Sequence, residues 1–332
     1  MKKIFCFGEL LLRISPALNK QWIHESNTAI FLGGSELNVA TALAKWNLPA
    51  KYCTALPDNF LTKEIIDELN EKNIDTSTIL ISGNRIGIYY LPQGLDLKNT
   101  AVNYDRAHSS FATLKPGIIN WDETLKDCDW FHFSAINPAL NENIALVCKE
   151  ALQAASAKGL TISVDLNFRA QLWKYGKRPV EVMSELLPYC HVVMGNIWAA
   201  EQVLDIPCPF KNSEEKSPDE LITAAQNSMK LLQLAHPKTT TVAYTFRLAQ
   251  TYFGVLQVGD AIAVSKEFSL QKIINKVGSG DCFMAGLIYG LSHHHQPQEI
   301  IDFASAAAVG KMLEQGDGTN QTISSIKNNF TA

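Results

Sequence analysis

No two cysteines in this chain stand at the CxxC spacing. The seven it has, at positions 6, 53, 128, 148, 190, 208 and 282, are odd in number and widely scattered. That pattern excludes a disulfide framework and argues against structural zinc; free thiols in a reducing cytoplasm are expected. Long apolar runs are missing too. None approaches the ~18 residues of a membrane span. The first residues carry two lysines and a short apolar run that meets Glu9 at once, too little for a signal peptide. A cytoplasmic protein with no membrane partner is the expectation. Charge of one sign is also scarce. Lys plus Arg number 29 against 33 Asp plus Glu, and the net charge is −4. With no basic stripe, nucleic acid is not an expected partner. Finally, no GxxxxGK[ST] loop occurs, so any nucleotide phosphates must be held by another device.

What is present is ordinary globular material. The chain has 332 residues, 46% of them hydrophobic and 19% charged. Strand-like runs at 3–7, 51–56, 130–134, 160–166, 191–194 and 239–244 alternate with helical patterns at 61–72, 142–158, 180–187 and 218–232. A possible hairpin joins 250–256 to 261–265, and a last helix covers 297–313. Such alternation predicts a mainly parallel sheet covered by helices on both faces, an α/β fold. Residues 78–81, 86–91 and 101–104 interrupt it with β-rich pieces and no helix between them. They predict a small antiparallel sheet, joined by residues of the 10–32 region into a lid.

Polar clusters fall where strands end, which in open parallel sheets is where ligands bind. Asp165-Leu166-Asn167-Phe168-Arg169 closes one strand and Gly195-Asn196 the next. Near the C-terminus, Val277-Gly278-Ser279-Gly280-Asp281 runs into an apolar, small-residue helical segment. A glycine turn feeding a helix N-terminus presents free N–H groups and a positive dipole end, a site for an anion. Asp281 beside it could take a proton from a hydroxyl attacking that anion, or could merely cap the helix. The consecutive His293-His294-His295 do not converge on one ion, and no metal ligand is assigned.

Gly33-Gly34-Ser35-Glu36-Leu37-Asn38-Val39-Ala40, together with the Gly278 to Asp281 turn, resembles the two signatures of the ribokinase-like (PfkB) carbohydrate kinases. Three further stretches resemble the 2-keto-3-deoxygluconate kinase branch: residues 8–16, Tyr104-Asp105-Arg106-Ala107, and residues 165–173. The resemblance covers nearly the whole chain. It implies a single ribokinase-like domain over 1–332, a three-layer α/β/α sandwich with a mainly parallel sheet. A small β-sheet lid would be built from about 10–32 and 78–106. It implies ATP with Mg²⁺, and leaves open a monovalent cation. Asp281 would be the general base, with Gly278, Ser279 and Gly280 as the anion hole. Gly34, Asn38, Tyr89, Tyr104, Arg106 and Arg169 would bind the sugar. Asn167, Asn196, Thr245 and Arg247, with Gly278 and Gly280, would face the nucleotide. Two arginines suit an acidic sugar, because guanidinium can bind carboxylate bidentately. The expected reaction is phosphorylation of 2-keto-3-deoxygluconate to its 6-phosphate. Fructokinase or another sugar kinase of the family is the alternative, and a non-catalytic sugar-binding protein on a kinase scaffold is the second. A homodimer through the lid is a further expectation, since exposed strand edges can pair.

Three positions depart from the family pattern. The Asn-x-x-Glu associated with magnesium reads Asn196-Ile197-Trp198-Ala199, with Glu201 two residues beyond. Asn275 and Lys276 precede the C-terminal signature where Asp and Thr are usual. Residues 244–249 lack the usual glycine.

Overall fold

The computed structural model describes residues 2–16, 27–92, 102–211, 216–270 and 272–328. Parts of the expected lid, at 17–26 and 93–101, lie outside them.

The first third contains β1 (Lys3–Phe7), β2 (Leu11–Ser15), β3 (Ala29–Gly33), α1 (Ser35–Lys45), β4 (Ala50–Cys53) and β5 (Ala55–Leu56). Then come α2 (Phe60–Glu71), β6 (Ile74–Asp75), β7 (Leu80–Ile81), β8 (Gly87–Tyr90) and β9 (Asn103–Asp105). The middle is α3 (Trp121–Thr124), β10 (Cys128–Ser134), α4 (Glu142–Ala157), β11 (Thr161–Asp165), α5 (Pro179–Leu186), β12 (Val192–Gly195), α6 (Ile197–Leu204) and α7 (Pro218–Ala235). The last third is β13 (Thr241–Arg247), β14 (Thr251–Val258), β15 (Ala261–Val264), β16 (Phe268–Ser269), α8 (Ser279–Ser292), α9 (Pro297–Lys311) and α10 (Ile323–Asn328).

The main sheet runs β15-β14-β13-β12-β11-β10-β1-β4-β6, with β16 added against β14. It is parallel from β13 to β6 and turns antiparallel at β14. Strand β1 shows why its central strands read as unbroken apolar runs. Ile4 and Cys6 point into a core shared with α1, α2, α8 and α9, while Phe5 and Phe7 point into one shared with α3 to α7. Both faces of such a strand are buried, so alternation disappears from the sequence. The result is three layers, with the carboxyl ends of β10, β11 and β12 opening toward the N-termini of α1 and α8.

The small sheet departs from expectation in two ways. Its order is β3-β2-β8-β9, and β2 pairs with β8 in parallel, so it is mixed. Leu80 and Ile81 do not join it. They pair with Ala55 and Leu56 in a separate two-stranded sheet, because β7 follows β5 through α2 as a short parallel unit. Helix α6 was not read from the sequence. Its signal is Asn196, whose side chain accepts from the N–H of Ala199 at 2.8 Å as an N-cap.

Candidate active site

The glycine turn is held open by its own backbone. Gly278 is the N-cap of α8 with φ 79°, and no side chain caps that helix. A β-carbon at Gly278 would lie 2.0 Å from the Asp317 carbonyl oxygen, so the position admits only glycine. Asn275 Oδ1 accepts from Val277 N–H at 3.0 Å, and Ser279 Oγ donates to the Lys276 carbonyl at 3.1 Å. Beside Gly280 the space is open; a β-carbon there would meet nothing nearer than Met194 Cε at 3.9 Å. A helix of this length with an uncapped N-terminus beside open space is suited to an anion.

Asp281 does not cap α8. Its carboxylate turns to the first turn of α1, where Ser35 Oγ donates to Oδ1 at 2.7 Å and Asn38 Nδ2 donates to Oδ2 at 2.7 Å. Residue 281 is only 8% exposed. Burial pushes its pKa upward, against the pull of the Asn38 and Ser35 hydrogen bonds and the nearby Arg169 charge. The carboxylate is thus a stronger base than a surface aspartate, and it is fixed. Gly34 makes the junction possible: with φ 128° it is the N-cap of α1, and a β-carbon would come within 2.4 Å of the Glu9 carbonyl oxygen. Asn167, itself at φ 25°, donates through Nδ2 to Ser35 Oγ at 3.2 Å, while its N–H bonds Asp165 Oδ1 at 3.0 Å. The two ends of the chain and the end of β11 therefore meet at one carboxylate.

The lid residues are placed differently from one another. The Tyr89 hydroxyl donates to Asp317 Oδ2 at 2.5 Å, and the Tyr89 and Tyr104 rings lie 6.1 Å apart. Arg106 is buried and paired with Glu9, Nε donating to Oε2 at 2.8 Å; Ser109 Oγ donates to the other Glu9 oxygen. The guanidinium expected to grip a substrate carboxylate is thus paired through Nε and Nη2 with a carboxylate of the protein. Arg169 is not. It is half-buried, among the described residues its Nη1 donates to the Phe168 carbonyl alone, at 3.1 Å, and its charge is felt at Asp281.

On the side expected to face nucleotide, Asn196 spends its side chain on capping α6. Thr245 Oγ1 reaches the Gly195 carbonyl only at 3.5 Å, and Arg247 ends β13 with its charge near Tyr252. Ala199 is buried, and Glu201 Oε1 accepts from Cys208 N–H at 3.4 Å. Among the described residues no three His, Cys, Asp or Glu side chains gather as metal ligands. His293 bonds the Tyr289 carbonyl at the far end of α8.

Sequence reasoning missed the loop Gly316-Asp317-Gly318. Asp317 faces Arg13 of β2 in an ion contact at 2.8 Å, closer to charge pairing than to an aligned hydrogen bond, and receives the Tyr89 hydroxyl. Arg13 also lies over the Phe31 ring at 4.3 Å. The signal was an aspartate between two glycines, which by itself reads only as a turn.

Residues 1–323 match the pfkB family of carbohydrate kinases. Over 171 residues the chain is 32% identical to a 2-dehydro-3-deoxygalactonokinase of Haloferax volcanii, covering 52% of this chain and 54% of that protein. It is 22% identical over 307 residues to a 5-dehydro-2-deoxygluconokinase of Geobacillus thermodenitrificans, covering 89% of this chain and 84% of the other. Its fold superposes on the crystal structure of a 2-dehydro-3-deoxygluconokinase from Thermotoga maritima with a TM-score of 0.89, at 30% identity and complete coverage of both chains. Among the described residues no helix is long and apolar enough to cross a membrane.

Proposed function

The chain belongs to the pfkB family of carbohydrate kinases, and from that premise we propose that it transfers the terminal phosphoryl group of ATP to the 6-hydroxyl of 2-keto-3-deoxygluconate. The observation that carries this reading is the Asp281 carboxylate, fixed by Ser35 and Asn38 beside an uncapped helix N-terminus. The sugar hydroxyl gives its proton to Asp281 as its oxygen bonds the γ-phosphorus. The bond from that phosphorus to the β,γ-bridging oxygen breaks, and ADP leaves. The N–H groups of residues 278–280 receive the charge on the migrating group. Phosphoryl transfer asks mainly for positioning and charge stabilisation of this kind.

Mg²⁺ fits this site as an ion brought on the nucleotide, held by phosphate oxygens and water, as is usual for it; it would neutralise phosphate charge. The described residues offer no cage of their own. Asn167, Asn196, Thr245 and Arg247 belong to the proposed nucleotide side, and Gly34, Asn38, Tyr89, Tyr104 and Arg169 to the sugar side. Arg106 supports that side indirectly, through Glu9.

Arg169 favours an acidic substrate, in keeping with relatives named for keto-deoxy sugar acids. The test is ADP release with 2-keto-3-deoxygluconate, its galactonate epimer, 5-keto-2-deoxygluconate and fructose. The gluconate acid should give the highest kcat/KM, and preference for fructose refutes the acidic-sugar reading. The scaffold-only reading lacks support, because the whole proton-accepting constellation is assembled. A homodimer through the lid belongs to the same proposal. Edge strand β3 presents Ile30 at 61% exposure, and sedimentation at assay concentration as a monomer would remove it.

A further inference from the structure

Lys311 is the last residue of α9, and it is completely buried, at 0% exposure. Lysine is almost never fully buried without a partner of opposite charge. Here none is made: among the described residues Lys311 forms no ion pair. Its ammonium donates to one group, the Gly316 carbonyl, at 3.0 Å. An ammonium has three protons, so two are left without an acceptor among the described residues. Burial disfavours its charged form, an effect that the more distant Glu314 and Asp317 offset only in part. A helix-end lysine ordinarily reaches the last carbonyls of its own helix and stays wet. This one instead runs under the glycine turn. Its Cε lies 3.3 Å from where a β-carbon of Gly278 would be, and Asn275 Nδ2 shares the same Gly316 carbonyl at 2.7 Å.

We propose that Lys311 is the fixed cation of the phosphate site, a positioning residue whose ammonium, sealed beneath residues 278–280, holds the Gly316-Asp317-Gly318 loop against that turn and adds positive potential where the migrating phosphoryl group sits. The proposal rests on the kinase reading above. It accounts for a charge kept dry with no carboxylate in ion-pair contact among the described residues: the missing counter-charge is the substrate's. In a low-dielectric site a nearby charge acts without needing contact.

Lys311→Met keeps the chain as far as Cε and removes the charged group, and exchanging a buried charge for a hydrophobe of similar volume is often neutral or stabilising. The methionine enzyme should therefore fold. Its kcat should fall by about tenfold or more, short of what a directly bonding anion-hole donor is worth. KM for the sugar should stay within about twofold, since a group acting only on phosphate charge does not touch uniform sugar binding. Affinity for ADP, by calorimetry, should fall as well. A folded methionine enzyme with parental kcat and ADP affinity overturns the proposal. Should that variant not fold, Lys311→Ala decides. Recovery of its rate with added ammonium but not tetramethylammonium supports the inference, and no recovery, or a parental rate without additive, overturns it. If the parent phosphorylates no sugar of the panel, the kinase reading is what fails. ADP affinity then judges Lys311 alone, equal binding in parent and variant overturning its role.

Discussion

Asn38 Nδ2 donates to Asp281 Oδ2 at 2.7 Å, joining residues 243 positions apart in the chain. The contact ties the first turn of α1, on the proposed sugar side, to the first turn of α8, on the proposed phosphate side. It also fixes what Asp281→Asn should do. An asparagine can accept from Asn38 and donate to Ser35, so the constellation survives while proton acceptance is lost. Turnover should fall by at least ~10³-fold, with sugar affinity nearly unchanged. Stability should rise. Burial raises the Asp281 pKa above 3.8, so the native state holds a proton that the unfolded chain has released. Its stabilisation is complete below that value and disappears as pH climbs through the raised one. At neutral pH the buried charge is a net cost that asparagine removes. The acid limb of the parental kcat profile should accordingly stand above the ordinary aspartate range. A melt and a pH–rate profile check both, and a less stable asparagine variant would contradict the argument.

The two glycines of the turn should separate under substitution by alanine. Gly278→Ala forces a left-handed backbone and a collision with Asp317 O, so the protein should be destabilised by several kcal/mol. Gly280→Ala sits in the first turn of α8 with room for its methyl group, and should stabilise by about 0.5–1 kcal/mol. On the proposed mechanism that methyl group fills the space of the migrating phosphoryl group, and kcat should still drop. Chemical denaturation alongside an activity assay reads both; an active Gly280→Ala enzyme would argue against the anion hole.

Glu36 is a second buried acid near Asp281. Its Oε1 accepts from Ser134 N–H at 2.7 Å and from Asn137 at 3.1 Å, yet burial still pushes its pKa up to about 7 from 4.5. Below 4.5 the proton is bound in both states. As pH rises to about 7, native-state stability should decline by about 3 kcal/mol from this group. Denaturation at a series of pH values would show the slope, and Glu36→Gln should flatten it.

Arg13 and Asp317 are 2% and 1% exposed, and they join the lid to the loop beneath Gly278. Removing one partner strands the other charge in the interior, so Asp317→Ala should cost about 3–5 kcal/mol. Replacing both by apolar residues of similar size should cost clearly less than the two single changes combined. A double-mutant cycle by denaturant melts tests this, and strict additivity would mean that the pair is not coupled.

The layered architecture was legible because buried parallel strands and amphipathic helices leave short-range patterns, as β1 and α2 do. The turn, Gly34 and Asn38 were legible as a resemblance. What the sequence hid is long-range. Arg106 looked like a free grip on substrate because nothing in its neighbourhood announces Glu9, 97 positions away. Asp317 and Lys311 are single residues whose meaning lies wholly in what the fold brings beside them. The mixed pairing of the lid was hidden likewise, since a local β-rich pattern does not say whether its partner strand runs parallel.

Arg169 is then the side chain that should choose the substrate. Of the two arginines expected to meet a carboxylate, Arg106 is neutralised by Glu9, and its loss should appear as instability from an unpaired buried acid. Arg169 makes one neutral contact and lies at the end of β11, near enough to Asp281 to affect its proton affinity. Charge-assisted hydrogen bonds contribute about 1.5–3 kcal/mol, so Arg169→Leu should lower kcat/KM for the keto-deoxy acid by about 10- to 100-fold. For a neutral ketose the same change should matter little, because no carboxylate is left unpaired. Measuring both substrates with both enzymes isolates the carboxylate interaction from general damage to the site. Equal losses on the acidic and the neutral sugar would show that Arg169 holds the strand end together and does not read the acid.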